Sequence, residues 1–124
     1  MMSKINYGET SEFQKDFKRL FKKFKSLEDD LGLAKVAAIE LFHIQKVNNL
    51  STFPVQGFCA EKIQIYKIKK FACKALKGRG SKSGIRIIYA FHCENCQVDF
   101  IEIYFKGKKE NEDRERIKEY LKNF

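Results

Sequence analysis

Four residues in one stretch of the chain have the types and spacing to act on a phosphate: Lys67, Lys69, Arg86 and His92. The stretch, "YKIKKFACKALKGRGSKSGIRIIYAFH" from Tyr66 to His92, holds eight lysines and arginines and no aspartate or glutamate. Its two ends alternate as half-buried strands do. On the first, Tyr66 and Ile68 take one face while Lys67 and Lys69 take the other. On the second, Ile87, Tyr89 and Phe91 read as core, which turns Arg86 and His92 the opposite way. In a later run, "QVDFIEIYF", Asp99 sits among Ile101, Ile103 and Phe105, positions that otherwise look buried, and Glu102, Tyr104 and Lys106 then point outward. Where the registers agree, one open sheet face carries Lys67, Lys69, Arg86, His92, Glu102, Tyr104 and Lys106, although a one-residue bulge would invert part of that set. Such a face is either a plain solvated surface, common in antiparallel sheets, or a phosphate platform with acid–base groups. In the second case the cations offset the negative charge that grows on the phosphate oxygens in a transition state.

The elements that must position these residues follow from periodicity. "SKINYGE" reads as a short opening or edge strand. Ser11 and Gln14 have the spacing of a capping box, after which Phe13, Phe17, Leu20, Phe21 and Phe24 form an apolar stripe at helical spacing. The other faces of that helix carry Lys15, Lys18, Arg19, Lys22, Lys23 and Lys25 against Glu12 and Asp16. Ser26 is the next N-cap, with Glu28, Asp29 and Asp30 at the positive end of a helix dipole. Leu27, Leu31, Ala34, Ala38 and Leu41 continue a buried stripe to about Val47. "NNLSTFPVQGF" reads as a loop. "KIQIYKIKKF", "IRIIYAFH" and "QVDFIEIYF" read as three strands joined by "KALKGRGSKSG" and "CENC". "NEDRERIKEYLKNF" closes the chain as a charged helix with Ile117, Tyr120 and Leu121 on its inner stripe. The class is α+β: one domain over 1–124, an antiparallel sheet packed on a helical hairpin and covered mainly on one face.

Composition narrows the partners. With 124 residues, 44% hydrophobic and 14% aromatic, the chain can bury a core as one domain. Its net charge of +9 points to a polyanion: nucleic acid, an acidic protein or an anionic membrane surface. No run approaches the roughly 18–20 apolar residues of a membrane span, and "MMSKINYGET" lacks the apolar core of a signal peptide. A cytosolic location with reduced cysteines is expected. "CENC", Cys93 to Cys96, has the spacing of half a zinc site with His92 beside it, but Cys59 and Cys73 are separated singletons and make no second knuckle. "GRGSKSG" lacks the order of a P-loop and reads as a basic turn able to meet an RNA backbone through Lys82.

Taken together and in this order, the elements resemble the RelE/ParE superfamily of bacterial toxin–antitoxin toxins. The residues that carry the resemblance are "YKIK" at Tyr66–Lys69, "SGIRIIY" at Ser83–Tyr89 and the run "VDFIEIYFKGKKENE". The helices "FQKDFKRLFKKF" and "SLEDDL" add to it. The resemblance implies the element order β-α-α-β-β-β-α. RelE-like members cleave mRNA in the ribosomal decoding site, and ParE-like members poison DNA gyrase. For this chain it implies a ribosome-associated endoribonuclease in which Lys67, Lys69 and Arg86 inherit the catalytic cations. One of the two lysines then serves as base, and His92 is a further acid–base group. Glu102 is a weaker candidate base. Where RelE has Gly-Lys-Arg after its last strand this chain reads "FKGKKENE", so Lys106, Lys108 or Lys109 supplies that charge, and Tyr104 can stack on a base. No metal and no cofactor are implied. The implied partners are an acidic antitoxin, the ribosome and mRNA. The alternatives are a ParE-like gyrase inhibitor and a basic module that binds nucleic acid without cutting it.

Overall fold

The computed structural model describes residues 4–48, 50–58, 62–76 and 83–124. Five strands, β1 (Asn6–Glu9), β2 (Thr52–Pro54), β3 (Ile63–Ile68), β4 (Ile85–His92) and β5 (Gln97–Phe105), form one sheet in the order β1-β5-β4-β3-β2. The three long strands match the alternating runs in the sequence. Two features differ from expectation. β1 lies parallel to β5, so the sheet is mixed, not wholly antiparallel. The segment read as a loop contributes β2, whose three residues pair with Tyr66–Ile68 at the sheet edge. An edge position accommodates Pro54, which has no N–H to give to a ladder.

The helix α1 (Ser11–Phe21) begins one residue earlier than the capping-box spacing predicts. Thr10 is the N-cap: its hydroxyl accepts from the Phe13 N–H at 3.1 Å, while its own N–H donates to the Phe100 carbonyl at 3.0 Å. The same residue therefore ends β1 and starts α1. The helix α2 (Leu27–Ala34) runs directly into a π-helical segment (Lys35–Glu40) and the last turn α3 (Leu41–His43). The wider turn rotates the apolar stripe, so that Ile39 and His43 are buried while Leu41 is half-buried. Tyr7 fastens the segment from the sheet, its hydroxyl lying 2.9 Å from a Glu40 carboxylate oxygen.

The helices and the turn between α1 and α2 bury Phe13, Phe24, Leu27, Leu31 and Ile39 against Ile85, Ile87, Tyr89, Val98 and Phe100 on one face of the sheet. The second face is not open along its whole length. Over it, α4 (Arg114–Leu121) and the segment after β2 cover Ile65, Ile88, Ala90 and Ile101 with Ile117, Val55 and Phe58. A β-bulge makes this possible. Ile88 pairs with Glu102 but Tyr89 pairs with Phe100, so Ile101 is the extra residue in β5. The inward set therefore switches from Val98 and Phe100 to Ile103, and Asp99 joins Glu102 and Tyr104 on the second face.

Glu102, 1% exposed, holds the start of α4: its carboxylate accepts from the Asp113 N–H at 2.8 Å and pairs with Lys109. Glu102→Ala is expected to lower the unfolding free energy by about 2 kcal/mol, because a buried charged acceptor is lost from a helix start. Glu102→Gln, which keeps an acceptor, is expected to lose clearly less; equal losses in urea unfolding would rule out the capping role.

His43 gives a pH dependence. It is buried, stacks on Phe91 with ring centroids 4.0 Å apart, and its Nε2 lies 2.8 Å from the Tyr89 hydroxyl. Burial first, and then the charge of Lys46, pull its pKa from 6.5 down to about 4. Between those values the unfolded chain takes up a proton that the folded chain does not. The stabilisation is complete above the unfolded value and is lost as pH falls toward the folded one. Lowering the pH from 7 to 5 is expected to cost about 2 kcal/mol through this residue. His43→Gln is expected to flatten the urea midpoint over that window; an unchanged slope would assign it to other groups.

Candidate nucleic-acid interface

The second face divides along its strands into an apolar end under α4 and a cationic end beyond it. Arg86 pairs with Tyr104 in the ladder, Ile68 pairs with Ile87, and Lys67 stands opposite Ile88. These registers bring Lys67, Lys69, Arg86 and Tyr104 together beyond α4, with Lys69 exposed, Lys67 and Arg86 half-buried and Tyr104 buried. Lys69 is exposed, its ammonium 4.8 Å above the ring of Phe53 in β2. The half-buried Arg86 donates from its guanidinium to the Lys69 carbonyl at 2.8 Å, which fixes one edge of the fork. Phe53, Lys67, Lys69, Glu112 and Arg114 line a shallow cleft of about 200 Å³.

Lys67 is not free. Its ammonium lies 2.5 Å from Oε1 of Glu112, and both side chains are largely buried, at 16% and 11% exposure. The other oxygen of Glu112 is 3.5 Å from the Arg114 guanidinium. Burial alone raises the pKa of Glu112, but hydrogen bonding to Lys67 and the charges of Lys67 and Arg114 outweigh it and hold the carboxyl below its ordinary value. Arg114 is anchored in turn, donating to the Gln56 carbonyl at 2.8 Å and lying 4.4 Å from the centroid of the Phe58 ring. Burial raises the Tyr104 pKa while a hydrogen bond to Lys67 opposes that shift. The acidic segment after β5 thus inserts one carboxylate into a group of cations.

The remaining candidates separate. Lys106 and Lys108 are exposed near the cationic end, whereas Lys109 is engaged by Glu102. Glu102 itself is committed to Lys109 and to the start of α4, which removes it from the role of a base. Lys82 lies outside the described residues, as does Cys59. His92 is at the far end of the face. It stands six residues from Arg86 along β4, roughly 20 Å at strand rise, and is 8% exposed. Its Nε2 lies 2.5 Å from the Tyr120 hydroxyl and 3.4 Å from Asp99 Oδ2. The hydroxyl of Tyr120 donates its one proton to Asp99 at 2.5 Å. His92 Nε2 therefore donates to the tyrosine oxygen. The structure does not bring His92 to Arg86; it makes His92 part of the seat of α4. Burial, then the hydrogen bond and charge of Asp99, push the Tyr120 hydroxyl well above the usual phenol range. Gly8 is part of the same seat, since a Cβ there would stand 2.8 Å from Asp99 Oδ1.

Glu112, Arg114, Phe53 and the Asp99–Tyr120 pair are absent from the sequence reading. Glu112 lies in a run of charges with no periodicity to single it out. Asp99 did carry a signal: a carboxylate at an apparently buried parity marks the register shift. Cys93 is half-buried and Cys96 buried in the β4–β5 turn. Among the described residues no group of three or more His, Cys, Asp or Glu is placed to hold a metal ion, and no helix is long and apolar enough to cross a membrane.

Compared with known proteins, the chain matches no protein-family model and no curated protein. Among solved structures it is similar to the archaeal RelE–RelB complex from Pyrococcus horikoshii OT3. The TM-score is 0.52 at 11% sequence identity, and the match covers 86% of this chain and 99% of that one. At that identity the similarity is one of architecture: the chain has a RelE-like fold.

Proposed function

We propose that the protein is a RelE-like toxin, a ribosome-associated endoribonuclease that cuts mRNA and is held in check by an acidic antitoxin in the cytoplasm. The observation that carries this reading is the convergence of Lys67, Lys69, Arg86 and Tyr104 at the end of a sheet face beyond α4. In such a reaction the ribose 2′-oxygen forms a bond to phosphorus and the bond to the 5′-oxygen breaks. One group takes the 2′-hydroxyl proton and another supplies a proton to the departing 5′-oxygen. The exposed Lys69 is the first cation a phosphate meets. Arg86, with one nitrogen fixed on the Lys69 carbonyl, keeps the rest of its fork for a phosphate oxygen. Lys67 and the Tyr104 hydroxyl lie deeper and engage the oxygens once the phosphate has displaced Glu112. Lys106 and Lys108 hold flanking phosphates. His92 acts by seating α4, not by proton transfer.

The decisive test is cleavage of mRNA on translating ribosomes. Lys69→Ala and Arg86→Ala, each shown to be folded, are expected to cut at least a hundredfold more slowly, the scale of losing one preorganised group that stabilises transition-state charge. Intact mRNA with wild-type protein would overturn the reading, and inhibition of DNA supercoiling by the same preparation would favour gyrase as the target. Glu112→Gln provides an independent check. Freed of its carboxylate partner, Lys67 is expected to bind a short single-stranded RNA more tightly and to steepen the salt dependence, with the log–log slope changing by about 0.7. A folded Glu112→Gln variant that binds RNA normally but no longer cuts would instead make Glu112 the base.

A further inference from the structure

We infer that the cleft between α1 and β5, on the other side of Tyr104 from Lys67, is a nucleotide-binding subsite. It takes a nucleobase against the strand edge and the attached phosphate on Lys23 and Lys108. The cleft, about 440 Å³, exists because β1 stops short. Glu9, the last residue of β1, stands opposite Phe100, and the rest of β5 continues with no strand beside it on that side among the described residues. Leu20, Ile103 and Phe105 give it an apolar floor.

The charges around it are not balanced. Asp16 is already taken by Arg116 at 2.5 Å and Arg19 at 3.5 Å, and Glu102 is taken by Lys109. Lys23 and Lys108, both exposed, have no carboxylate partner among the described residues. Lys23 instead lies over the ring of Phe105 at 5.3 Å. That ring is held in place, since a Cβ on Gly107 would stand 2.7 Å from it and one on Gly84 3.3 Å. An apolar floor under two unpaired ammonium groups suits a ligand that is planar at one end and anionic at the other.

The strand edge decides which such ligand fits. The Lys106 N–H donates to the Gly84 carbonyl, so Glu102, Tyr104 and Lys106 turn their backbone groups toward β4, and Ile103 and Phe105 turn theirs toward the cleft. The Phe105 carbonyl is already used by the N–H groups of Lys108 and Lys109. The Ile101 carbonyl is used by Arg116 at 3.2 Å. What remains is the donor–acceptor pair of Ile103 and, beside it, the Phe105 N–H. An added peptide strand needs a longer row of such groups, whereas these few match the edge of a base. Tyr104 joins the cleft to the cationic end of the sheet, with Lys109 5.6 Å from its ring centroid and Lys67 at its hydroxyl. On the ribonuclease reading the occupant is the nucleotide flanking the one whose phosphate meets Lys69 and Arg86. The cleft's affinity for a mononucleotide does not depend on that reading.

The test is a titration of the full chain with adenosine 5′-monophosphate at low salt, followed by amide NMR. Shifts are expected at Ile103 and Leu20, with adenosine lacking the phosphate binding at least tenfold more weakly. Lys23→Glu and Lys108→Glu, at exposed positions that leave the fold intact, are each expected to weaken the nucleotide at least tenfold. A tetranucleotide RNA that binds at least tenfold more tightly than the mononucleotide, with the gain lost in Arg86→Ala, identifies an RNA strand as the source. Equal affinity identifies a free nucleotide. Absence of shifts at Ile103, adenosine binding as well as its phosphate, or a response to an acidic peptide and not to the nucleotide would each overturn the subsite. Failure of mRNA cleavage alongside normal nucleotide binding would overturn the ribonuclease reading alone.

Discussion

The β-bulge that adds Ile101 to β5 is the constraint on which both faces of the sheet depend. A strand with unbroken alternation would send Asp99 and Ile101 to one face and Glu102 and Tyr104 to the other. With the extra residue, all four serve the second face. Asp99 receives Tyr120, Ile101 packs under Ile117, Glu102 receives the start of α4, and Tyr104 reaches Lys67. Val98 and Phe100 before the bulge and Ile103 after it still face the helices. One inserted residue thus lets a single strand build an apolar seat, a polar clasp and part of a cationic site.

The clasp explains how a short, highly charged helix stays on the sheet. Among the residues of α4, Ile117 is the one fully buried apolar side chain, which alone is a modest anchor. Around it, three carboxylates from α1 and β5 each meet a donor of α4 or its cap: Asp16 with Arg116, Glu102 with the Asp113 N–H, and Asp99 with Tyr120. Buried carboxylate contacts of this kind add little net stability once desolvation is counted, but each carboxylate becomes costly when its partner leaves. The arrangement therefore favours one seating of α4 over others more than it strengthens the fold. That seating places Arg114, the first residue of α4, against Phe58 and sets the path of the preceding segment, which carries Glu112 to Lys67.

Much of this was legible in the sequence where a periodic pattern runs for several residues. The three long strands, the Phe stripe of α1 and the inner stripe of α4 all follow from alternation or helical spacing. Parity alone put Lys67, Lys69, Arg86 and Tyr104 on one face, within a set that also held His92, Glu102 and Lys106. What escaped was structure that depends on pairing partners distant in the chain. β2 is three residues long and owes its existence to the free edge of β3, so no pattern of its own announces it. The parallel alignment of β1 depends on the path of the helices between it and the sheet. His92 has the right parity to join Arg86, but parity fixes a face and not a position along the strand, and α4 covers its end. Glu112 shows the same limit, since a charge in an irregular segment gives no hint of where its side chain lands.

The fate of the positive charge is set by competition at Lys67. A carboxylate tethered a few residues from α4 is presented to this lysine at high effective concentration, so a lone phosphate in solution competes poorly. A nucleic-acid strand is different, because its phosphates arrive already linked. Lys69 and Arg86, neither of them paired with a carboxylate among the described residues, hold the strand first, and the next contact becomes intramolecular as well. Each further cation engaged also releases counterions from the strand, a gain that Glu112 cannot match. Exchange at Lys67 then depends on how many phosphates the rest of the face holds in register. The buried ion pair thereby discriminates against small anions while the exposed cations recruit the polyanion.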